Sequence, residues 1–520
     1  MKHYTDLEFL KLSKGKRFGY RVASFFTGIP KGIWGGIKKL GSLIKKAGLA
    51  VAHEVKDILT TFVQGDWKTK ISYLVMGFGN IARGQVLRGL LFLLMEVVFI
   101  GYMVLMGANY IGLLPTLGTK GPYQIEEQIE IAPGRFRTTV TTMPGEHNSF
   151  KILLYGVLTL FFIIAFIYTW RVNIRQNKLA EQIKKSGKKL KSGKDDLKSL
   201  VDDQFHKTLL ALPTLGILIF TVMPIIFMIL VAFTNYSSGH NGGETGLFHW
   251  VGLSNFKTLF SWDVGGVNYS ATFGEILLWT LIWAFFATFT NYFLGIGVAM
   301  MINKKGIQFK KVWRTILIMT IAIPQFISLL YVSKMFTLNG LFNGFLLDLG
   351  IIHTAIDFWG DPTLARVMVI IINIWIGIPY LMLIATGILM NIPADLYESA
   401  KIDGASGWKQ FSKITLPYML FITGPYLLTS FTGNMNNFNV IYLLTGGGPH
   451  VNLSNGAGNP GDTDLLITWL FNITQKGFGE DGAQYYLASV IGILVFIVVS
   501  IISLIVYSVL PSVKNEEDFQ

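Results

Sequence analysis

The sequence contains no cysteine, which excludes disulfide frameworks, thiolate nucleophiles and cysteine metal sites and leaves the compartment unreadable from redox chemistry. Charge is scarce as well. Of 520 residues 14% are charged and 51% hydrophobic, too few polar groups to coat an apolar interior in water. A phosphate-cradling G-x-x-x-x-G-K-[ST] loop is missing too, because Gly187-Lys188 runs on into Lys189 and Gly193-Lys194 into Asp195. The chain is therefore not expected to be an enzyme that hydrolyses ATP. Its first residues lack the compact apolar core and small-residue cleavage site of a signal peptide, so none is expected to be removed.

What the chain has instead is apolar runs of the length a helix needs to cross about 30 Å of hydrocarbon at about 1.5 Å per residue. Eight spans are expected, at 89–108, 152–171, 209–234, 274–302, 312–336, 366–390, 417–435 and 485–510. The fold class is thus all-α, a polytopic membrane protein. Pro213, Pro224, Pro324, Pro379 and the Gly424-Pro425 pair fall inside spans, where neighbouring helices or a wet cavity can satisfy the backbone groups they free. They predict kinked helices, around a pathway or simply for packing.

Orientation follows from lysine and arginine in the connections. Segments 171–208, 303–314 and 391–416 hold nineteen basic residues, while the longer loops opposite hold few. These three segments and both termini are assigned to the cytoplasm, with outer loops starting near 109, 235, 337 and 436. The net charge of +13 therefore speaks to membrane side and inner-leaflet lipid, and no nucleic-acid partner is expected.

Four regions result. Residues 1–88 form a basic cytoplasmic arm, 89–208 two accessory spans and a charged linker, 209–510 the core, and 511–520 a cytoplasmic tail. In the arm, Ile37, Leu40 and Ile44 share one helical face, and Lys38, Lys39, Lys45 and Lys46 lie elsewhere. This is either an amphipathic helix on the inner leaflet or a solvated lysine-rich arm. Within spans, Glu96 is read as an interhelical hydrogen bond or protonated carboxyl in preference to a proton relay, and Lys334 as snorkelling to the outer surface.

The loop NIPADLYESAKIDGASGWKQFSKITLP, 391–417, carries the sharpest pattern. Asn391 is a candidate cap, Pro393 suits a first turn and Gly404 can supply a left-handed stop. Ile392, Leu396 and Ala400 give a short apolar face that the loop itself cannot bury, so a partner is expected. A second helical stretch is expected from Gly407 to Lys413, with Pro417 opening the next span.

Uncharged amides and aromatics cluster in two spans, the combination that suits the hydroxyls and apolar faces of a neutral sugar. Ser430, Asn434 and Asn437 fall at i, i+4 and i+7, near Phe431 and Phe438, and Asn373, Gly377 and Tyr380 share a face near Trp375. Each stripe is either interhelical hydrogen bonding or the wall of a chamber.

The loop resembles a known motif. Glu398-Ser399-Ala400, three residues, Gly404, nine residues and Ile414-Thr415-Leu416-Pro417 are similar to the E-A-A, x3, G, x9, I-x-L-P loop of ABC importer permeases, with Ser399 replacing the usual first alanine. In that family the loop docks as a coupling helix into an ATPase subunit. NIWIGIPYLM (373–382) and SFTGNMNNFNVIYLLTGGGP (430–449) resemble the sugar-contacting helices of the larger permease of maltose/maltodextrin importers. WVGLSNFKTLF (250–260) and GDTDLLITWLFNITQKGF (461–478) look like further parts of that core.

The resemblance implies a type I importer permease fold, with its family domain at about 271–508, in the bacterial cytoplasmic membrane. It implies sugar contacts at Asn373, Gly377, Tyr380, Ser430, Asn434 and Asn437, more weakly at Ser328, and ATPase coupling through Glu398, Ser399, Ala400, Gly404, Ile414, Leu416 and Pro417. Implied partners are a second homologous permease, two ATPase subunits that use ATP and magnesium, and an extracellular sugar-binding protein; this chain needs no cofactor or metal. Gly433 departs from the family pattern, where a phenylalanine is expected, and the outer loop after span three lacks the large extra domain of enteric relatives. Within the class the rival is a permease for another neutral oligosaccharide. An ion-coupled secondary transporter would need membrane-embedded carboxylates, which spans three to eight scarcely offer. A membrane glycosyltransferase would need a cytoplasmic acidic cluster, and none is seen.

Overall fold

The computed structural model describes residues 41–509, apart from 44, 47, 122, 133–134, 144, 239–246, 262–267, 305, 453–458 and 476–481. The expected face of Ile37, Leu40 and Ile44 and the tail 511–520 lie outside the described residues. In chain order the elements used below are α1 (Val86–Leu113), β1 (Tyr123–Ala132), β2 (Arg135–Met143), α2 (Ser149–Lys185), α3 (Gly193–Val201), α4 (Phe205–Val231), α5 (Tyr269–Asn303), α6 (Lys310–Ala322), α7 (Gln325–Met335), α8 (Pro362–Leu389), α9 (Ala394–Ile402), α10 (Leu416–Met435), α11 (Phe438–Thr445), α12 (Leu466–Gln475) and α13 (Tyr485–Val509). Among the described residues, seven helices are long and apolar enough to cross a membrane, and the bent pair α6 and α7, taken as one span, makes eight.

The span expected at 312–336, with a kink at Pro324, is two helices meeting at 91°. Ile323 is extended and Pro324 has ψ 126°, because a residue before proline is pushed out of the helical region and proline itself offers no N–H. Two other prolines widen the helix instead of breaking it. π-turns at Leu218–Val222 and Phe411–Thr415 each end two residues before a proline, Pro224 and Pro417. The wider turn makes room for a ring that would clash with the carbonyl one turn back. The segment between α1 and α2, read from sequence as a loop, is an antiparallel hairpin with Tyr123 opposite Met143.

The chain divides into two compact units, 1–115 with 151–224 and 116–150 with 225–520, so the boundary falls inside α4 at Pro224 and not ahead of it at 208. In the first unit, residues 66–88, grouped above with the arm, are folded. The guanidinium of Arg83 is almost wholly buried and donates to Asp66 (2.5 Å), Thr69 Oγ1 (2.6 Å), the Gly79 carbonyl (3.1 Å) and Asn177 Oδ1 (3.0 Å). Asn173 on α2 accepts from the Gly77 N–H and donates to the Ser72 carbonyl, so the extension of α2 past its apolar stretch is the platform for this segment. Glu96 is buried and accepts from the Met76 N–H at 2.8 Å. Its partner is thus a backbone turn rather than another span. The charged linker returns to the unit through Arg88, which forks onto Asp196 of α3 at 2.6 and 3.1 Å.

The second unit is organised along α5, which starts at an Asn268 cap on the Ala271 N–H. Its first turns, Tyr269 and Ile276, pack with Leu466 and Trp469 of α12 and Ile491 of α13. Farther on, Trp279, Trp283 and Ala287 meet Leu329 of α7, Val369 and Ile372 of α8, and Val440 and Ile441 of α11. Beyond these, Tyr292, Ile296 and Ala299 pack on Leu381 and Met382 of α8 and Met419 of α10. Between the last two apolar clusters α5 buries Thr288 and Asn291.

Candidate functional site

That interruption is a polar layer without a formal charge. Thr288 Oγ1 accepts from Asn434 Nδ2 at 2.9 Å, the Asn434 carbonyl accepts from Trp283 Nε1 at 3.0 Å, and Asn437 Nδ2 donates to Asn434 Oδ1 at 3.3 Å. Asn291 Nδ2 donates to the carbonyls of Ala287 (2.9 Å) and Asn373 (3.4 Å). Gly377 is where α5 and α8 come closest at this level, since a Cβ there would lie 2.3 Å from Asn291 Nδ2.

Asn434 and Asn437 meet by a route other than the expected one. They do not share one continuous helix face, because α10 ends at Met435 and Asn437 caps α11, its Oδ1 accepting from the Val440 N–H at 3.3 Å. Asn436 and Asn439 are exposed, and Ser430 sits half-buried one turn before Asn434. Gly433 is exposed, with nothing within 4 Å of a Cβ built on it.

The remaining site residues line a cavity of about 300 Å³ at the break between α6 and α7. Ser328, Trp375 and Tyr380 form its wall, with Gln325 and Thr320 as further polar groups. The Tyr380 ring lies 6.4 Å from that of Tyr426. One helix, α8, thus presents Asn373 and Gly377 to α5 and Tyr380 to the cavity. The sequence reading missed Thr288, Asn291 and Gln325. A signal existed for the first two, which stand three apart in the otherwise apolar ATFTNYF run. Lys334 is exposed in the last turn of α7.

On the 391–417 loop, α9 begins after Pro393, which takes the cap position in place of Asn391. Gly404 stops the helix with φ +72°, and the Ala405 N–H donates to the Ala400 carbonyl at 2.8 Å. Glu398 and Ser399 are exposed, Ala400, Ile414 and Leu416 are half-buried and Pro417 is exposed. The apolar face also differs from the expected one. Ile392 is buried ahead of the helix, and the exposed apolar side chains are Leu396, Ile402 and Trp408, the last two 87% and 74% exposed. The second helical stretch is a short turn, Gly407–Gln410, that passes into the π-turn before α10.

Spans packed around an uncharged polar layer, with a connecting loop at 391–417 that leaves large apolar side chains uncovered, define a multi-pass membrane permease. Residues 291–512 match the family model described as the binding-protein-dependent transport system inner membrane component. The chain is 31% identical over 459 residues to the maltodextrin transport system permease protein MalC of Streptococcus pneumoniae, covering 86% of this chain and 97% of that protein. It is 32% identical over 457 residues to the maltodextrin transport system permease protein MdxF of Bacillus subtilis, covering 86% and 97%. Against the galactooligosaccharides transport system permease protein GanP of Bacillus subtilis it is 31% identical over 453 residues, covering 85% and 97%. The chain belongs to this family of bacterial sugar-transport permeases and is a transport protein, not an enzyme.

Proposed function

We propose that this chain is the larger of two permease subunits of an ATP-driven importer that carries maltodextrins across the bacterial cytoplasmic membrane. The observation that carries the reading is the layer formed by buried Thr288, Asn291 and Asn373 with half-buried Asn434 and Asn437, in which every polar side chain is neutral and suited to sugar hydroxyls. An external sugar-binding protein delivers the substrate to the outer loops. Two ATPase subunits, which use ATP and magnesium, take up the exposed Leu396, Ile402 and Trp408 around Glu398. Both termini face the cytoplasm, on the side of the basic segments. Closure of the ATPases moves α9, which hands the displacement to α10 and so to Ser430 and Asn434.

A second reading, import of galactooligosaccharides, is favoured by the equal identity to GanP. The test is uptake of labelled maltotriose and of a labelled galactooligosaccharide into vesicles holding the complete complex. Maltotriose uptake that needs ATP and binding protein, and is lost in Asn434→Ala and in Glu398→Lys, is the expected result. Uptake of the galactoside alone selects the second reading, and uptake driven by an ion gradient without ATP overturns both.

A further inference from the structure

Two buried side-chain atoms in the polar layer have no hydrogen-bond partner, Oδ1 of Asn291 and Nδ2 of Asn373. One is an acceptor and the other a donor. The two residues stand at one level of the contact between α5 and α8, because the Asn291 amide donates to the Asn373 main-chain carbonyl and stands over Gly377. Both residues are more than nine-tenths buried, where an unmade hydrogen bond costs far more than at a surface. All other polar atoms that α5 contributes to this level are occupied. Asn291 Nδ2 holds the carbonyls of Ala287 and Asn373, and Thr288 accepts from Asn434.

The geometry points to Asn291 as a specificity-determining residue of the sugar site, its Oδ1 accepting from the same sugar hydroxyl that accepts from Asn373 Nδ2. A hydroxyl is both donor and acceptor, so one such group satisfies both atoms at once, which neither an ether oxygen nor a methyl can do. Thr288 is a positioning residue beside it. Its Oγ1 holds the Asn434 side-chain amide, while Trp283 Nε1 holds the main-chain carbonyl of the same residue. Access requires α5 and α8 to part at Gly377, where the space for a Cβ is missing. The inference rests on the sugar-import reading above and adds α5 to a site whose sequence motifs lie on α8 and α10.

The experiment uses vesicles with the complete complex and compares maltose with its singly deoxygenated analogues, for the natural chain, Asn291→Leu, Thr288→Val and Thr288→Ser. In the natural chain one deoxy analogue is expected to show a KM at least about tenfold above that of maltose, as in sites built to bond a hydroxyl. Asn291→Leu raises the KM for maltose by a similar factor and leaves that one analogue no worse than maltose, with the other analogues still discriminated. Thr288→Val lowers transport and Thr288→Ser restores it. Asn291→Leu with the natural discrimination pattern overturns the inference, and so does a uniform loss that shifts no analogue relative to maltose. Failure of the natural complex to import maltose or maltotriose, or indifference to Asn434→Ala, would instead sink the sugar-import reading itself.

Discussion

The phenol of Tyr397 and the hydroxyl of Thr415 are 2.9 Å apart, so the exposed helix α9 is fastened to the π-turn that runs directly into α10. Eighteen residues of chain separate the two groups, and the hydrogen bond makes them one mechanical piece. A displacement of α9 therefore reaches α10 without first being absorbed by the intervening turn.

Tyr397→Phe removes this fastening and nothing else. A lost side-chain hydrogen bond of about 0.5–1.5 kcal/mol corresponds to roughly a two- to tenfold change. The expected outcome is a fall of that size in sugar imported per ATP hydrolysed, with hydrolysis itself retained. Uptake and phosphate release measured in the same vesicles check it, and an unchanged ratio would remove Tyr397 from the coupling path.

Arg83→Ala strips the charge from the centre of the first unit and leaves Asp66 and Glu181, which lie 2.5 and 3.8 Å from the guanidinium, without it. Asp66 keeps 34% of its side chain exposed, so the loss falls below the ~3–5 kcal/mol of a fully buried pair. Residues 66–88 are expected to detach from α2, seen as faster hydrogen exchange at Gly77 and Gly79, whose amides bond Asn173 and Ser72 in the folded segment. Protection equal to that of the natural chain would mean that Arg83 does not hold the segment.

Gly433→Phe returns a ring to a position that is open and exposed. Leaving glycine in a helix interior also gains up to about 1 kcal/mol. Folding should be unharmed, and the KM for maltotriose is expected to fall several-fold as the ring supplies a stacking surface. A higher KM would place the ring in the path of the sugar instead of beside it.

Asp464, in the connection between α11 and α12, is buried and accepts from the Gly461 N–H at 2.8 Å and from Asn472 Nδ2. Burial pushes its carboxyl above the ordinary range, against the Gly461 hydrogen bond and those of Thr468 and Asn472. The folded state thus binds the proton more tightly than the unfolded chain. Stability is fullest below the unfolded value and declines as pH rises through the folded one. Asp464→Asn keeps the shape and removes the ionisation, so its melting temperature is expected to lose that decline while the natural chain keeps it. Parallel pH profiles for the two proteins would rule out Asp464 as its source.

The span assignments were legible because they rest on run length alone. The Val86–Leu113 helix contains the apolar stretch read at 89–108 and the Pro362–Leu389 helix all but the last residue of that at 366–390, and Asp361 with Pro362 starts the latter by capping the Leu364 N–H at 2.7 Å. The 391–417 loop was legible through spacing, down to the left-handed Gly404. Its apolar face was not, because Ile392 turned inward and Ile402 and Trp408 outward. The hairpin at Tyr123–Met143 went unseen because its alternation lies in a short polar stretch between two far stronger helical signals.

By itself, then, the sequence determined the solvent of this protein and the number of its spans. Those properties depend on transfer free energies and local periodicity, which neighbouring residues settle among themselves. The tertiary structure alone decided that Pro324 would turn a span through 91°, that α10 would end at Met435, and that Thr288 and Asn291 would complete the polar layer. The last two reach across 146 and 82 residues to Asn434 and Asn373. Hydrogen bonds of that span arise only when packed helices bring the groups together, because a buried amide takes whichever partner the packing supplies.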